Sequence, residues 1–273
     1  MGLGHCLLDF FVKIMEVKTK KITRVDSKNS LTVGTKYGFQ LFGSNKLTLL
    51  KLIESDIEKG KKIWIATVNP EFVMAALKDG HFGEILRTKT TYNVIDGIGL
   101  IWGLKTKSFL SGLKVGIEIL RGGHRENLIT GADLMDDLCA MAQKNNKSVY
   151  FFGGWKDRSK KTAKYFAKKY PKLKIAGFKA ENFDLNIKAD FLFVARGMKR
   201  QEEWIEERFD KLKVGLVMGV GRSFDYYSGD LPRAPKWVQQ IGFEWLFSLF
   251  VEPKRWKRQL ELPKFVWMVL KSP

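Results

Sequence analysis

Residues 211–237, KLKVGLVMGVGRSFDYYSGDLPRAPKW, decide how this chain folds. Leu212–Met218 is apolar and rich in β-formers, so it reads as a buried strand. Gly219 and Gly221 come next, freeing the backbone to turn sharply and letting a ligand approach closely. The turn opens into a polar loop with Arg222, Ser223 and Asp225, and Arg233-Ala-Pro235 closes it. In an open α/β sheet, ligands sit where such loops leave the carboxyl ends of the strands. The loop is a candidate site wall, although a lone Gly-x-Gly more often marks an ordinary tight turn.

The same unit recurs elsewhere in the chain. Lys62–Val68, Tyr92–Ile95, Ser148–Phe152, Leu173–Phe178 and Ala189–Ala195 are short apolar runs, most of them ending in glycine or a polar turn. Helical stretches at Glu71–Asp79, Ala132–Lys144, Ser159–Tyr170 and Gln201–Phe209 separate most of them, and Leu47–Ile57 adds another ahead of Gly60. Strands alternating with helices, without Asn-Gly hairpins, predict crossover connections and a largely parallel sheet. The expected class is α/β and Rossmann-like, a sheet flanked by helices. Residues 105–127 have scattered glycines and no clear period, and read as a loop or insertion with room for a short helix around Val115–Leu120. Residues 16–30 are polar and charged, so 1–30 is expected to be an arm preceding a folded domain over 31–242.

After Pro235 the composition changes. Trp237, Phe243, Trp245, Phe247 and Phe250 lead into Lys254, Arg255, Trp256, Lys257 and Arg258. Aromatic rings interleaved with cations suit an interfacial surface, so residues 243–273 read as a basic, aromatic, helical appendage that meets an anionic membrane. A helix simply packed on its own domain would give the same pattern. At about 1 kcal/mol per basic residue near an anionic leaflet, attachment would be reversible.

The net charge of +19 calls for a polyanionic partner. Nucleic acid is one option, but no helix-turn-helix, RNA-recognition signature or zinc finger is present. Two cysteines in unrelated contexts form no disulfide framework and suit a reducing cytoplasm. The opening Leu3–Met15, broken by Asp9 and Lys13, is a poor signal peptide, and no run approaches the roughly 20 apolar residues of a spanning helix. A nicotinamide-binding fold is disfavoured because Gly219-Val-Gly221 lacks a third glycine and a suitably placed acid.

If the sheet is parallel, residues just past each strand converge on one edge: Thr67, Asn69 and Glu71; Asp96; Arg196, Gln201 and Glu202; Arg222 and Asp225. Asp96, in Asp-Gly-Ile-Gly, is the sharpest, a carboxylate at a strand end able to take a proton from a substrate hydroxyl. An Asp-Gly alone is more often just a turn. The three histidines are isolated, there is no Asp-x-Asp, and neither a metal site nor a cofactor is expected. Positive charge from the protein could instead neutralise a leaving diphosphate.

In order along the chain, Thr67-Val-Asn-Pro-Glu71, Asp96-Gly-Ile-Gly99, Thr130-Gly-Ala-Asp133, Phe152-Gly-Gly154, Gln201-Glu202, Gly219-Val-Gly221 with Phe224-Asp225, Arg233-Ala-Pro235, Glu244-Trp245 and Glu252-Pro253 with Arg255 and Arg258 resemble the WecG/TagA/CpsF glycosyltransferases. The resemblance implies a metal-independent, inverting enzyme. It would move a sugar, of the N-acetylmannosamine type or a related hexose, from a UDP-sugar to a polyprenyl-diphosphate-linked acceptor. The setting would be the cytoplasmic membrane face, in teichoic acid or surface polysaccharide synthesis; self-association into a homo-oligomer is left open. By similarity, Asp96 would be the general base, with Thr67 beside it. Thr67 and Asn69 would line the donor and acceptor pocket, Gln201 and Asp225 would help hold the nucleotide, Gly219 and Gly221 would belong to the substrate-binding wall, and Arg255 and Arg258 would lie near the diphosphate. Leu128 and Ser248 stand where the family usually has arginine, and Lys199 where it has proline. Loss of these two cations would mean an altered substrate geometry, a weakened enzyme, or replacement by Arg121, Arg125 or Arg200, and replacement is the outcome expected here.

Overall fold

The computed structural model describes residues 32–33 and 36–271, and the arm expected over 1–30 lies outside them. A short antiparallel pair, β1 (Thr32–Val33) and β2 (Leu41–Phe42), precedes the main sheet. Six strands form that sheet: β3 (Ile63–Val68), β4 (Tyr92–Ile95), β5 (Ser148–Gly153), β6 (Lys174–Lys179), β7 (Phe191–Ala195) and β8 (Leu216–Gly219). Their order is β4-β3-β8-β7-β5-β6, and every pairing is parallel. The deciding stretch becomes β8, in the middle between β3 and β7.

Parallel neighbours need crossovers, and helices supply them. Helix α1 (Lys46–Glu58) enters β3; α2 (Pro70–Lys78) and α3 (Gly80–Glu84, running on as a π turn over Ile85–Lys89) lead to β4. Helices α4 (Ile98–Lys105), α5 (Phe109–Leu120) and α6 (Gly131–Lys144) lie between β4 and β5. Then α7 (Arg158–Lys169) joins β5 to β6, and α8 (Arg200–Glu206) joins β7 to β8. Beyond β8 run α9 (Ser223–Tyr227), α10 (Lys236–Gln240), α11 (Glu244–Val251), α12 (Trp256–Gln259) and α13 (Glu261–Lys271). Caps fix where α2 and α6 begin: the side chains of Asn69 and Thr130 accept from the amides of Phe72 and Asp133.

Side chains on a strand alternate between faces, so each central strand feeds two cores. Trp64, Ala66, Phe152, Val194 and Val217 join one apolar cluster. Ile63, Ile65, Phe151, Phe193 and Met218 join the other. Strands β3, β7 and β8 are buried along their whole length, as a sheet covered on both faces requires. The edge strand β6 is largely exposed and carries Lys174 and Lys179, cations of the kind that discourage edge-to-edge pairing.

The loop expected over 105–127 needs correction: α5 starts at Phe109 and fills most of it. Ser108 and Ser111 cap its amino end reciprocally, and its glycines sit inside the helix without hindering it. The C-terminal segment does pack on its own domain, since Phe265, Met268 and Val269 of α13 are buried. Gly103 of α4 leaves the space that the Phe265 ring occupies; a Cβ there would come within 2.6 Å of Phe265 Cζ. The segment nonetheless leaves Phe250, Trp256 and Leu260 about half exposed or more, so it has both a packed and an exposed face. No helix among the described residues is long and apolar enough to cross a membrane.

Candidate active site

A cleft of about 1300 Å³ opens at the carboxyl edge of the sheet. Its walls come from the ends of β3, β4, β5, β7 and β8 and from the C-terminal helices. The sequence-predicted residues Thr67, Asn69, Asp96, Gln201, Gly221, Asp225, Arg255 and Arg258 all line it, although they span almost the whole chain. Gly219 does not. A Cβ at Gly219 would lie 2.6 Å from Gln201 Nε2 and 2.7 Å from Glu202 Oε1, so the room it leaves is taken by protein rather than by a ligand. Gly221 has φ +49°, as a sharp turn requires, and open space beside it.

Asp96 lies on the cleft floor. Its amide donates to the Val68 carbonyl at 2.7 Å, which continues the β3–β4 pairing by one residue and fixes where the carboxylate emerges. The amide of Gly131, at the start of α6, donates to that carboxylate. Gly131 is tight against the site: a Cβ there would meet Thr67 Cγ2 at 3.1 Å and Asp96 Oδ2 at 3.4 Å. Burial pushes the Asp96 carboxyl up to about 7, the nearby Glu244 and Asp133 add to the rise, and the Gly131 amide and Arg233 oppose it. A carboxylate that titrates near neutrality is suited to exchange a proton in both directions.

Around it runs a network of ion pairs. Arg233 donates to Asp133 at 2.6 Å and to Thr130 Oγ1 at 3.1 Å, and it lies 3.5 Å from Glu244. Burial works against the charge of Asp133, yet Arg233 and Thr130 hold its carboxyl below the usual range. Arg158, in the first turn of α7, donates to Asp225 at 2.6 Å and to Asp230 at 2.9 Å. Arg222 pairs with Glu252 at 2.6 Å, and its Nη1 is buried with no hydrogen-bond partner among the described residues. Gln201 accepts from the Gly221 amide at 3.1 Å and donates to Glu202 at 2.7 Å, so it braces the glycine turn. Thr67 donates to the Gly219 carbonyl at 3.3 Å and ties β3 to β8 directly beneath the cleft.

The C-terminal helices form one wall. Arg258 pairs with the buried Glu71 at the start of α2, and Lys78 with Glu261 at 2.6 Å. Ser248 and Leu128, where arginine was expected, also line the cleft. Of the three proposed substitutes, only Arg200 does so. Arg125 is spent on the carbonyls of Gln239 and Gln240. The cleft is not short of cations: Arg158, Arg196, Arg200, Arg222, Arg233, Arg255 and Arg258 all reach it. Arg158 and the exposed Trp155 had escaped notice; the signal available was their position just past Phe152-Gly-Gly154, at another strand end.

The strand ends thus bring Asp96 and several arginines to one cleft, and residues 37–273 match the Glycosyl transferase WecG/TagA/CpsF family. The chain belongs to that family. It is a glycosyltransferase. Among its relatives is the N-acetylglucosaminyldiphosphoundecaprenol N-acetyl-beta-D-mannosaminyltransferase of Bacillus subtilis (strain 168), 32% identical over 217 residues, which cover 76% of this chain and 79% of the relative. Proteins of the same name from Bacillus spizizenii and Staphylococcus aureus (strain MRSA252) are 28% and 24% identical, covering 79% and 82% of this chain and 81% and 88% of the relatives.

Proposed function

We propose that this glycosyltransferase moves an N-acetylmannosamine-type sugar from a UDP-sugar, with inversion, onto a hydroxyl of a sugar carried on a polyprenyl diphosphate. The observation that carries the reading is the cleft floor, where a carboxyl raised to about 7 faces a space ringed by arginines. The names of the relatives supply the acceptor class. Asp96 takes the proton of the acceptor hydroxyl as its oxygen bonds to the anomeric carbon. The bond from that carbon to the UDP oxygen breaks on the opposite face, and the electron pair leaves with UDP. Charge then accumulates on a diphosphate, which is where fixed guanidinium groups are worth most. Arg222, with its unfilled Nη1 beside the Gly221 turn and Asp225, suits the nucleotide diphosphate. Arg255 and Arg258 on the opposite wall suit the acceptor diphosphate, and Thr67 and Asn69 position the reacting sugars between them.

Arg196 and Arg200 line the cleft, as does Arg222 with its unfilled Nη1, so cationic donors are available there in addition to the arginines paired with acids, and transfer is taken to be metal-independent. The exposed cations and aromatics of the C-terminal helices hold the enzyme peripherally at the inner membrane face, where such an acceptor is embedded. A panel of UDP-sugars incubated with a short-chain prenyl-diphosphate-linked N-acetylglucosamine tests the reading. One donor should be used, the product should have the opposite anomeric configuration, and a chelator should change nothing. Transfer from no donor would refute the reaction, and loss of turnover in chelator would refute its metal independence.

A further inference from the structure

A second cavity of about 510 Å³ adjoins the cleft, walled by α4, α5, α13 and the segment after α10. Every residue lining it is apolar or glycine. Ile98, Gly99, Trp102, Gly242, Val266 and Leu270 line both spaces, so the two lie side by side along a shared border. One of these neighbouring spaces holds an arginine-ringed acid, and the other is walled by hydrocarbon. On its open side α5 presents Phe109, Leu113, Ile117 and Leu120 at helical spacing, 61%, 53%, 50% and 52% exposed. A row of large apolar side chains left this open on one helix marks a surface that meets something apolar.

We propose that this groove holds the first isoprene units of the acceptor's prenyl tail and leads the tail out of the cleft past α5. The inference rests on the acceptor class argued above. A ligand that fills both spaces must carry a charged diphosphate at one end and a branched hydrocarbon at the other, and no part of the groove offers a hydrogen bond to anything polar. The groove wall is built for clearance. The Trp102 indole N–H is satisfied by the Gly112 carbonyl at 2.9 Å, which pins the ring between α4 and α5. At Gly112 the two helices are close, with a Cβ 3.1 Å from Thr106 Cγ2 and 3.2 Å from Trp102. One turn later a Cβ at Gly116 would meet only Trp102 Nε1, at 3.9 Å. Gly116 therefore leaves the lane open, and a larger side chain there would fill it while favouring the helix.

Calorimetric titration with isopentenyl diphosphate and farnesyl diphosphate, below micelle-forming concentrations, tests this without any sugar transfer. The full-length protein should bind the farnesyl compound at least tenfold more tightly. In Gly116→Leu that preference should fall to near unity with isopentenyl diphosphate affinity unchanged. Ile117→Glu should do the same without filling space, and it decides the matter if Gly116→Leu fails to fold. Equal affinities in the unaltered protein, or an intact preference in the folded variants, would overturn the proposal. So would variants that lose binding to anionic vesicles but keep the chain-length preference, since the face would then serve the bilayer alone. Chain-length discrimination in a protein that transfers no sugar would keep the groove and sink the proposed reaction, whereas transfer without discrimination would do the reverse.

Discussion

Asp96 bears opposed demands. Its ordinary value is 3.8, and burial in the folded protein raises it to about 7. The folded state thus holds the proton more tightly than the unfolded chain. The contribution of Asp96 to stability is therefore highest below about pH 4, declines as pH rises toward 7, and stays at its reduced level above that. Asp96→Asn removes the buried charge while keeping the shape. Thermal unfolding at pH 8 should show a gain on the order of 1–3 kcal/mol, discounted because the cleft admits water, and the gain should vanish at pH 4. A variant less stable than the parent at pH 8 would contradict this. The residue was legible because an Asp-Gly at a strand end is a local pattern. Gly219 was misread for a converse reason: whether the space beside a glycine belongs to a ligand or to Gln201 and Glu202 is set by a helix arriving from elsewhere. Arg158 was missed because its partners lie 67 and 72 residues further on.

At the level of elements, the strand runs were legible because full burial imposes a continuous apolar signal; β4 begins and ends where its sequence does. Helix α5 was not, since Gly112 and Gly116 look like breakers until their packing against Trp102 is seen. The loop after β8 and the start of α6 act jointly on the acid. Arg233 links Thr130 and Asp133 to Glu244, and its charge lowers the Asp96 value. Replacing it with Gln leaves two acids beside Asp96 with less compensation. The acidic limb of the transfer rate should then move to higher pH, by about 1 unit if the lost attraction is on the order of 1.4 kcal/mol. A limb that stays in place would mean that Arg233 serves structure alone.

For the molecule as a whole, the ordered motifs gave the family because they sit at the strand ends that a parallel sheet brings together. What stayed hidden was how the C-terminal helices divide their faces, since buried Phe265 and exposed Trp256 look alike in a sequence. Lys254 and Lys257 are exposed on the outer side. Reversing both to Glu should weaken binding to anionic vesicles at least tenfold, at about 1 kcal/mol for each cation removed, while neutral vesicles show no difference. Equal sedimentation with both vesicle types would separate the segment from the membrane. The role of Asp96 in deprotonating the incoming hydroxyl is read most directly from the pH dependence of kcat for sugar transfer in the parent and in Asp96→Asn. The parent rate should rise through about pH 7 and level off, while the variant should be slower by roughly 10²–10⁴-fold, lack that limb and bind the UDP-sugar as before. Unchanged turnover in the variant, or a limb near 7 that survives the substitution, would contradict it.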